Sequence, residues 1–310
     1  MTTEKLNEKT RGVFIISPTP FDDVGAIDRS STDTLVDFYL EKGVTGITIL
    51  GVLGEAPKLS ASERSDFMAQ VLRRVEGRVQ IVVGASDPGT DNLVRFAREA
   101  MDGGAAGLMI APVAGLKTDD HVYGYWASLL ERLGPDVPVC YQDYPQTTTV
   151  VSSTSVLNRL IDACPNLVML KHEESPGLGK ITSLRDGARD GARRRVSILV
   201  GNGGLYLPQE LRRGVDGAMT GFAFPEMLVQ VCAKFFADAV EEAEDLFDLY
   251  LPVLRHEQQP GFGLAIRKEI LRRRGAIKSA NIRHPGPALT ATDQRELDSL
   301  LDRLNRRLAA

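Results

Sequence analysis

The sequence contains few cysteines, few histidines and no long uncharged apolar run. Its three cysteines among 310 residues are Cys140, Cys164 and Cys232, and none lies in a CxxC pair. Scattered cysteines exclude a disulfide framework and a cysteine-based zinc site, and they are typical of reduced thiols buried as small apolar groups. The four histidines are equally scattered. We therefore expect no metal site.

The chain also lacks a membrane signal and a strongly basic composition. No uncharged apolar stretch approaches the ~20 residues needed to cross a bilayer. The first residues, MTTEKLNEKT, lack the apolar segment of an export signal. A net charge of −4 provides no excess of positive charge for nucleic acid or an anionic membrane. These absences predict a cytoplasmic protein whose partner is a small molecule.

Short apolar runs alternate with longer segments of helical periodicity from residue 13 to about residue 239. This alternation predicts parallel strands joined by crossover helices. The runs are apolar almost throughout, which is typical of strands buried on both faces. The eight predicted strands are Val13–Ser17, Gly46–Gly51, Gln80–Ala85, Gly107–Ala111, Val137–Tyr141, Val168–Lys171, Ser197–Gly201 and Gly217–Thr220.

Eight such units in 310 residues favour an α/β fold of the (β/α)8 TIM barrel type, with a doubly wound open sheet as the alternative. After Phe224 and Pro225 the strand pattern stops. The remaining residues predict an all-helical C-terminal appendage with helices at Glu226–Phe247, Phe262–Arg274 and Asp293–Leu308. We therefore divide the chain into a barrel, residues 1–239, and a helical region packed on it, residues 240–310.

The sixth predicted strand carries the first candidate for chemistry. Reacting groups in such barrels come from the C-terminal ends of the strands, and this strand ends in Lys171, His172 and Glu173. Alternation places Lys171 and Glu173 on one side and His172 on the other. Partial desolvation favours the neutral amine, which attacks ketones, and Glu173 is then a candidate general acid or base. A lysine in this position is also typical of a surface residue whose charged end reaches solvent.

Glycine-rich or polar segments follow three other strands. The segment Gly51-Val52-Leu53-Gly54-Glu55 either presents backbone N–H groups to an anion or simply turns the chain before a helix. The end of strand five is polar and reads Cys140-Tyr141-Gln142-Asp143-Tyr144-Pro145. The segment Gly201-Asn202-Gly203-Gly204 either leaves room for a substrate or only reverses the chain.

Taken in order over almost the whole chain, these segments resemble the dihydrodipicolinate synthase and N-acetylneuraminate lyase superfamily of class I aldolases. The shared motifs are Pro18-Thr19-Pro20-Phe21, Gly51-x-x-Gly54-Glu55, Gly84-Ala85-Ser86, a Pro145 motif, Lys171 and the Gly201 turn. The resemblance implies a barrel with a C-terminal helical region and a lysine Schiff base to pyruvate or another 2-oxo acid. It also implies carboxylate binding by the GxxGE turn and a homotetramer built from dimers.

Several residues depart from the family pattern. The family's turn is usually Gly-Thr-Thr-Gly-Glu, and its second threonine joins two tyrosines in a proton relay, whereas Val52 and Leu53 carry no hydroxyl. Gln142 replaces one relay tyrosine, and Tyr144 lies on the same predicted strand face. The other relay tyrosine is missing. Thr147 stands where true synthases carry a substrate-binding arginine.

We therefore predict a cofactor-free lyase, either an aldolase or a dehydratase, that acts on pyruvate or on a 2-oxo acid such as a 2-keto-3-deoxy sugar acid. Lys171 is the predicted nucleophile, and Glu173 and Tyr144 are the other predicted catalytic residues. The predicted substrate contacts are Thr19, Gly51, Val52, Leu53, Gly54, Gln142, Asp143 and Gly201.

Two alternative functions remain open beside this prediction, and the family resemblance also implies an oligomeric state. A true 4-hydroxy-tetrahydrodipicolinate synthase is the first alternative, and Leu53, Gln142 and Thr147 disfavour it. A non-catalytic protein that binds a 2-oxo acid as a sensor is the second, because the relay hydroxyls are missing and a fold alone does not fix a function. The family resemblance implies a homo-oligomer, a dimer or a tetramer.

Overall fold

The computed structural model describes residues 4–189, 191 and 193–309, and eight parallel strands form one closed barrel in it. The first strand pairs with the second on one side and with the eighth on the other, which closes the sheet. The strands are β1 Gly12–Ile16, β2 Gly46–Ile49, β3 Gln80–Gly84, β4 Gly107–Ile110, β5 Val139–Asp143, β6 Leu167–His172, β7 Ser197–Val200 and β8 Gly217–Thr220. The predicted TIM barrel is confirmed, and the open-sheet alternative is wrong.

Helices lie between successive strands and cover the outside of the barrel. They are α1 Arg29–Glu41, α2 Ala61–Val75, α3 Thr90–Asp102, α4 Asp119–Leu133, α5 Pro145–Thr148, α6 Thr154–Ala163, α7 Leu178–Arg189 and α8 Leu207–Arg212. The start of α2 shows why such helices begin where they do. Ser60 Oγ accepts from the Glu63 N–H at 3.2 Å, and Glu63 Oε2 accepts from the Ser60 N–H at 2.8 Å. These two bonds satisfy N–H groups that the first turn leaves unpaired.

Two apolar layers hold the barrel together. One fills its interior and includes Phe14, Met169 and Leu199, and the other lies between the strands and the helices. Cys140 belongs to the interior layer, where burial raises the pKa of its thiol to about 12. All three cysteines are free and buried, as predicted for reduced thiols.

Strand β5 begins and ends two residues later than predicted. The prediction placed it at Val137–Tyr141, whereas the structure has Val139–Asp143. Pro138 has no N–H to donate to a neighbouring strand, so pairing begins after it. The shift places Gln142 and Asp143 on the strand itself, where Gln142 pairs with Lys171 of β6.

The C-terminal region is helical, as predicted, but the predicted single helix Glu226–Phe247 is wrong. The structure has α9 Pro225–Phe236, α10 Val240–Glu257, α11 Gly263–Arg273 and α12 Ala291–Leu308. Asp238 adopts a left-handed conformation with a φ of 65°, which breaks the helical path between α9 and α10. In the described part of the chain, no helix is both long and apolar enough to cross a membrane.

Candidate active site

Lys171, Glu173 and Gln142 form a buried polar cluster at the C-terminal ends of β5 and β6. Lys171 Nζ lies 3.0 Å from Glu173 Oε2, and the Gln142 side-chain amide donates to the same oxygen at 2.7 Å. The exposed fractions of Lys171, Glu173 and Gln142 are 4%, 6% and 3%. The expectation that Lys171 and Glu173 share one side of the strand is thus confirmed. A buried amine beside a buried carboxylate is an arrangement that supports both nucleophilic attack and proton transfer.

The segment that follows β7 holds Glu173 in this position. A Cβ added at Gly201 would lie 2.2 Å from Glu173 Cγ, so only glycine leaves room for the Glu173 side chain. The Asn202 side-chain amide donates to the Glu173 carbonyl at 2.8 Å. Gly201, predicted as a substrate contact, therefore lies against the candidate acid/base, which itself contacts Lys171.

The GxxGE segment forms a short 3-10 turn, Val52–Gly54, after β2. The first N–H groups of such a turn, those of Val52 and Leu53, have no partner within the turn and so remain able to bind an anion. Thr19, predicted as a substrate contact, is fully buried, and its hydroxyl donates to the Gly54 carbonyl at 2.6 Å. Thr19 therefore stabilises the turn through this hydrogen bond.

Gly84 allows strand β3 to pass close to this turn. A Cβ there would lie 2.2 Å from the Leu50 carbonyl oxygen, which is far too close for any side chain. Leu50 itself has a φ of 57°, a conformation that costs a non-glycine residue about 1–2 kcal/mol. The strained backbone of Leu50 therefore lies just before the amides that are predicted to bind the carboxylate.

Glu55 anchors the same turn to the C-terminal helical region. Its carboxylate accepts from Lys268 Nζ of α11 at 2.6 Å, from Lys58 Nζ at 2.9 Å and from the Arg283 N–H at 3.0 Å. Lys268 is fully buried, so this ion pair is internal. Lys268 was not among the predicted site residues, because 213 residues separate it from Glu55 and no local pattern predicts their contact.

Asp143 does not face the cluster, which corrects its prediction as a substrate contact. Its Oδ2 lies 2.9 Å from Lys180 Nζ and 3.4 Å from His172 Nδ1. Because β5 extends through Asp143, alternation turns its side chain away from that of Gln142. The Asp143 carboxylate instead ties β5 to α7, which carries Lys180.

A cavity of about 400 Å³ opens beside the cluster, and Gln142 forms part of its wall. Gly51 and Val52 of the turn line it, as does Tyr144 at the end of β5. Within the described residues Tyr144 makes no hydrogen bond to Lys171 or Glu173, and its catalytic role stays a prediction. The cavity therefore reaches from the anion-binding turn to Gln142, the member of the polar cluster that lines it.

Comparison with known proteins identifies the family to which these features belong. A sequence model described as the Dihydrodipicolinate synthetase family matches residues 9–304. The chain belongs to this family. It is an enzyme of the lyase class, as predicted.

Individual relatives differ in the activities that their names state. An L-2-keto-3-deoxyarabonate dehydratase of Azospirillum brasilense is 27% identical over 307 residues, covering 98% of this chain and 97% of that protein. A 4-hydroxy-tetrahydrodipicolinate synthase of Porphyromonas gingivalis is 30% identical over 240 residues, covering 76% and 78%. A crystal structure named dihydrodipicolinate synthase, from Rhodopseudomonas palustris, is 47% identical, with a TM-score of 0.95 and coverage of 97% and 100%.

Proposed function

We propose that this family member dehydrates a 2-keto-3-deoxy sugar acid through a Schiff base on Lys171. The observation that carries the proposal is the buried Lys171–Glu173 pair with Gln142 beside it, at 3.0 and 2.7 Å. Glu173 is the proton-transfer group that contacts the proposed nucleophile. Gln142 donates to its carboxylate and so fixes the orientation of the oxygen that faces Lys171.

The proposed reaction begins when the Lys171 amine adds to the C2 ketone and one water leaves, which forms an iminium. Glu173 then takes a proton from C3, and the electron pair forms an enamine. The enamine then expels the C4 hydroxyl, which receives the proton that Glu173 took from C3 and leaves as a second water, so that Glu173 is again a carboxylate. Water then hydrolyses the iminium and returns the free amine. In sum, the substrate loses one molecule of water.

The residues around Lys171 favour dehydration over aldol cleavage. Cleavage of the C3–C4 bond needs a base at the C4 hydroxyl, whereas dehydration needs one at C3, next to the iminium. The carboxylate of Glu173 lies 3.0 Å from the nitrogen that would join C2, which puts it within reach of C3. Val52, Leu53 and Gln142 supply none of the hydroxyls that would relay a proton farther along the substrate.

The proposal includes three further points. The unpaired N–H groups of Val52 and Leu53 bind the C1 carboxylate, because amides at such a turn favour an anion. The reaction needs no added cofactor, so dialysis against a chelator should leave the rate unchanged. Family membership also supports a homo-oligomer, a dimer or a tetramer, which analytical ultracentrifugation would test.

Product analysis tests the reaction directly. We expect a five-carbon 2-keto-3-deoxy acid to yield a product lighter by one water, with no pyruvate released, as measured by liquid chromatography and mass spectrometry. Glu173→Gln should lower kcat by about 100-fold or more and still form the borohydride-trapped adduct. Lys171→Met should lose both turnover and adduct. Lys9→Ala, at an exposed lysine, is the matched control. Release of pyruvate would contradict dehydration.

A second candidate is synthesis of 4-hydroxy-tetrahydrodipicolinate from pyruvate and aspartate semialdehyde. The 47% identical crystal structure named dihydrodipicolinate synthase favours it, while Thr147, in the cavity wall where such synthases carry an arginine, opposes it. Condensation of the two substrates at a higher kcat/KM than dehydration would establish this candidate. An adduct with no turnover of any tested ketone would count against both candidates.

A further inference from the structure

The cavity beside the polar cluster extends well beyond the space that a small 2-oxo acid fills. Its volume of about 400 Å³ would hold roughly a dozen waters at about 30 Å³ each. The inner wall includes Gln142 and the turn after β2, and the outer wall includes Arg64 of α2 and Asp87 after β3. The proposed reaction takes place at C2, C3 and C4 and does not involve these outer residues.

Arg64 is held in place but keeps unused hydrogen-bonding capacity. Its guanidinium lies over the Phe96 ring, 4.6 Å from the ring centroid, and its Nε is buried without a hydrogen-bond partner. Its Nη1 lies 3.7 Å from Asp87 Oδ2, which is too long for a hydrogen bond. The Arg64 side chain is 16% exposed, and within the described residues its Nη groups make no hydrogen bond, so they favour a ligand that supplies an acceptor.

Asp87 and Ser86 face the same space. Asp87 Oδ1 accepts from the Gly89 N–H at 2.8 Å, which fixes the carboxylate and leaves Oδ2 near Arg64. Ser86 Oγ accepts from the Ala111 N–H at 2.9 Å, so its hydroxyl hydrogen stays available. The outer wall thus offers donors and an acceptor side by side, as a ligand with hydroxyl groups requires.

The charges on the cavity wall select among possible substrates. Arg64 and Asp87 are the charged residues among those that line the cavity in the described part of the chain, and their formal charges cancel. A second carboxylate or a phosphate at this wall would meet the Asp87 carboxylate as well as the Arg64 guanidinium. A neutral tail with several hydroxyls meets no such repulsion.

We propose that Arg64 and Asp87 form a subsite for the distal hydroxyl groups of the substrate. The subsite makes the enzyme selective for monocarboxylic polyhydroxy 2-oxo acids over dicarboxylic or phosphorylated ones. Arg64 donates to a distal oxygen, and Asp87 accepts from a neighbouring hydroxyl. This inference rests on the proposed function, because it needs the 2-oxo group at Lys171.

Borohydride trapping at several ketone concentrations tests the subsite without relying on turnover. The quantity measured is the concentration that gives half-maximal adduct for pyruvate, for a six-carbon 2-keto-3-deoxy monoacid and for the corresponding diacid. We expect Arg64→Gln to raise this concentration about tenfold for the monoacid and to leave pyruvate unchanged. Asp87→Asn should weaken the monoacid and strengthen the diacid. Arg73→Gln, at an exposed arginine of the same helix, should change none of the three.

The opposite responses expected for the two acids separate a specificity role from a purely structural one. A merely destabilising Asp87→Asn substitution would weaken monoacid and diacid alike, which would overturn the subsite. Unchanged half-saturation by the monoacid in Arg64→Gln, with the pyruvate adduct retained, would also overturn it and leave the proposed function standing. Absence of any adduct in the wild-type protein would instead refute the Schiff base itself.

Discussion

Replacing Gly201 by alanine should disable Glu173 without touching Lys171. The added Cβ would lie 2.2 Å from Glu173 Cγ and 2.3 Å from its Oε1. The Glu173 side chain would have to move by about 1.2 Å before the distance from its Cγ to the added Cβ reached 3.4 Å, an ordinary van der Waals contact. Such a shift would break the 3.0 Å contact with Lys171 and the 2.7 Å bond from Gln142.

A misplacement of about 1 Å in a catalytic group can cost about 100-fold in rate, and we expect kcat of Gly201→Ala to fall by this amount. Steady-state kinetics on a 2-keto-3-deoxy acid would measure it, and thermal denaturation would check that the fold persists. The borohydride adduct on Lys171 should remain. Gly179→Ala is the matched control, because a Cβ at Gly179 meets nothing within 4 Å.

A double-mutant cycle decides whether Gly201 acts through Glu173. The three atoms nearest to the added Cβ all belong to the Glu173 side chain, so Glu173→Ala should remove the clash. The double variant should then have the same kcat as Glu173→Ala alone. A further large loss in the double variant, or a wild-type kcat in Gly201→Ala, would show that Gly201 does not act through Glu173.

Three other substitutions test the surroundings of the site. Lys268→Met should lower the free energy of unfolding by about 3–5 kcal/mol, because the buried Glu55 carboxylate loses its fully buried cation and keeps only Lys58 and the Arg283 N–H as partners; urea denaturation with an unchanged midpoint would contradict this. Thr19→Val removes the 2.6 Å hydrogen bond to the Gly54 carbonyl, so it should raise KM for the 2-oxo acid several-fold with little change in kcat. An unaltered KM would show that the turn keeps its conformation without this hydrogen bond. Burial raises the pKa of Glu210 to about 8. The folded protein therefore keeps a proton that the unfolded chain releases near pH 4.5, and the free energy of unfolding falls as the pH rises between these two values. Glu210→Gln should therefore stabilise the protein by about 1–3 kcal/mol above pH 8 and have little effect near pH 4; equal effects at both pH values would count against it.

The sequence was sufficient for the barrel and for the central pair of residues. The closed barrel and the doubly wound sheet both bury parallel strands on both faces, and the eight strand–helix units in a chain of this length favour closure. The side of the strand on which Lys171 and Glu173 lie follows from alternation, because the irregularity of β6 at Val168 comes before Lys171 and the pairing with β5 is regular from Met169 to His172.

Other features depended on contacts that no local pattern reveals. The shift of β5 moved Asp143 onto the strand and turned its carboxylate toward Lys180. The break before α10 arises from the left-handed backbone of Asp238, where no glycine or proline marks a stop. The anchoring of Glu55 by Lys268 joins residues far apart in sequence, and only the packing of α11 against the turn brings them together.

Borohydride reduction in the presence of pyruvate, followed by peptide mass spectrometry, is the most direct test of the Schiff base on Lys171. We expect a single adduct on the peptide that contains Lys171, and none in Lys171→Met. An adduct on a different lysine, or no adduct with pyruvate or with a 2-keto-3-deoxy acid, would contradict the Schiff base mechanism.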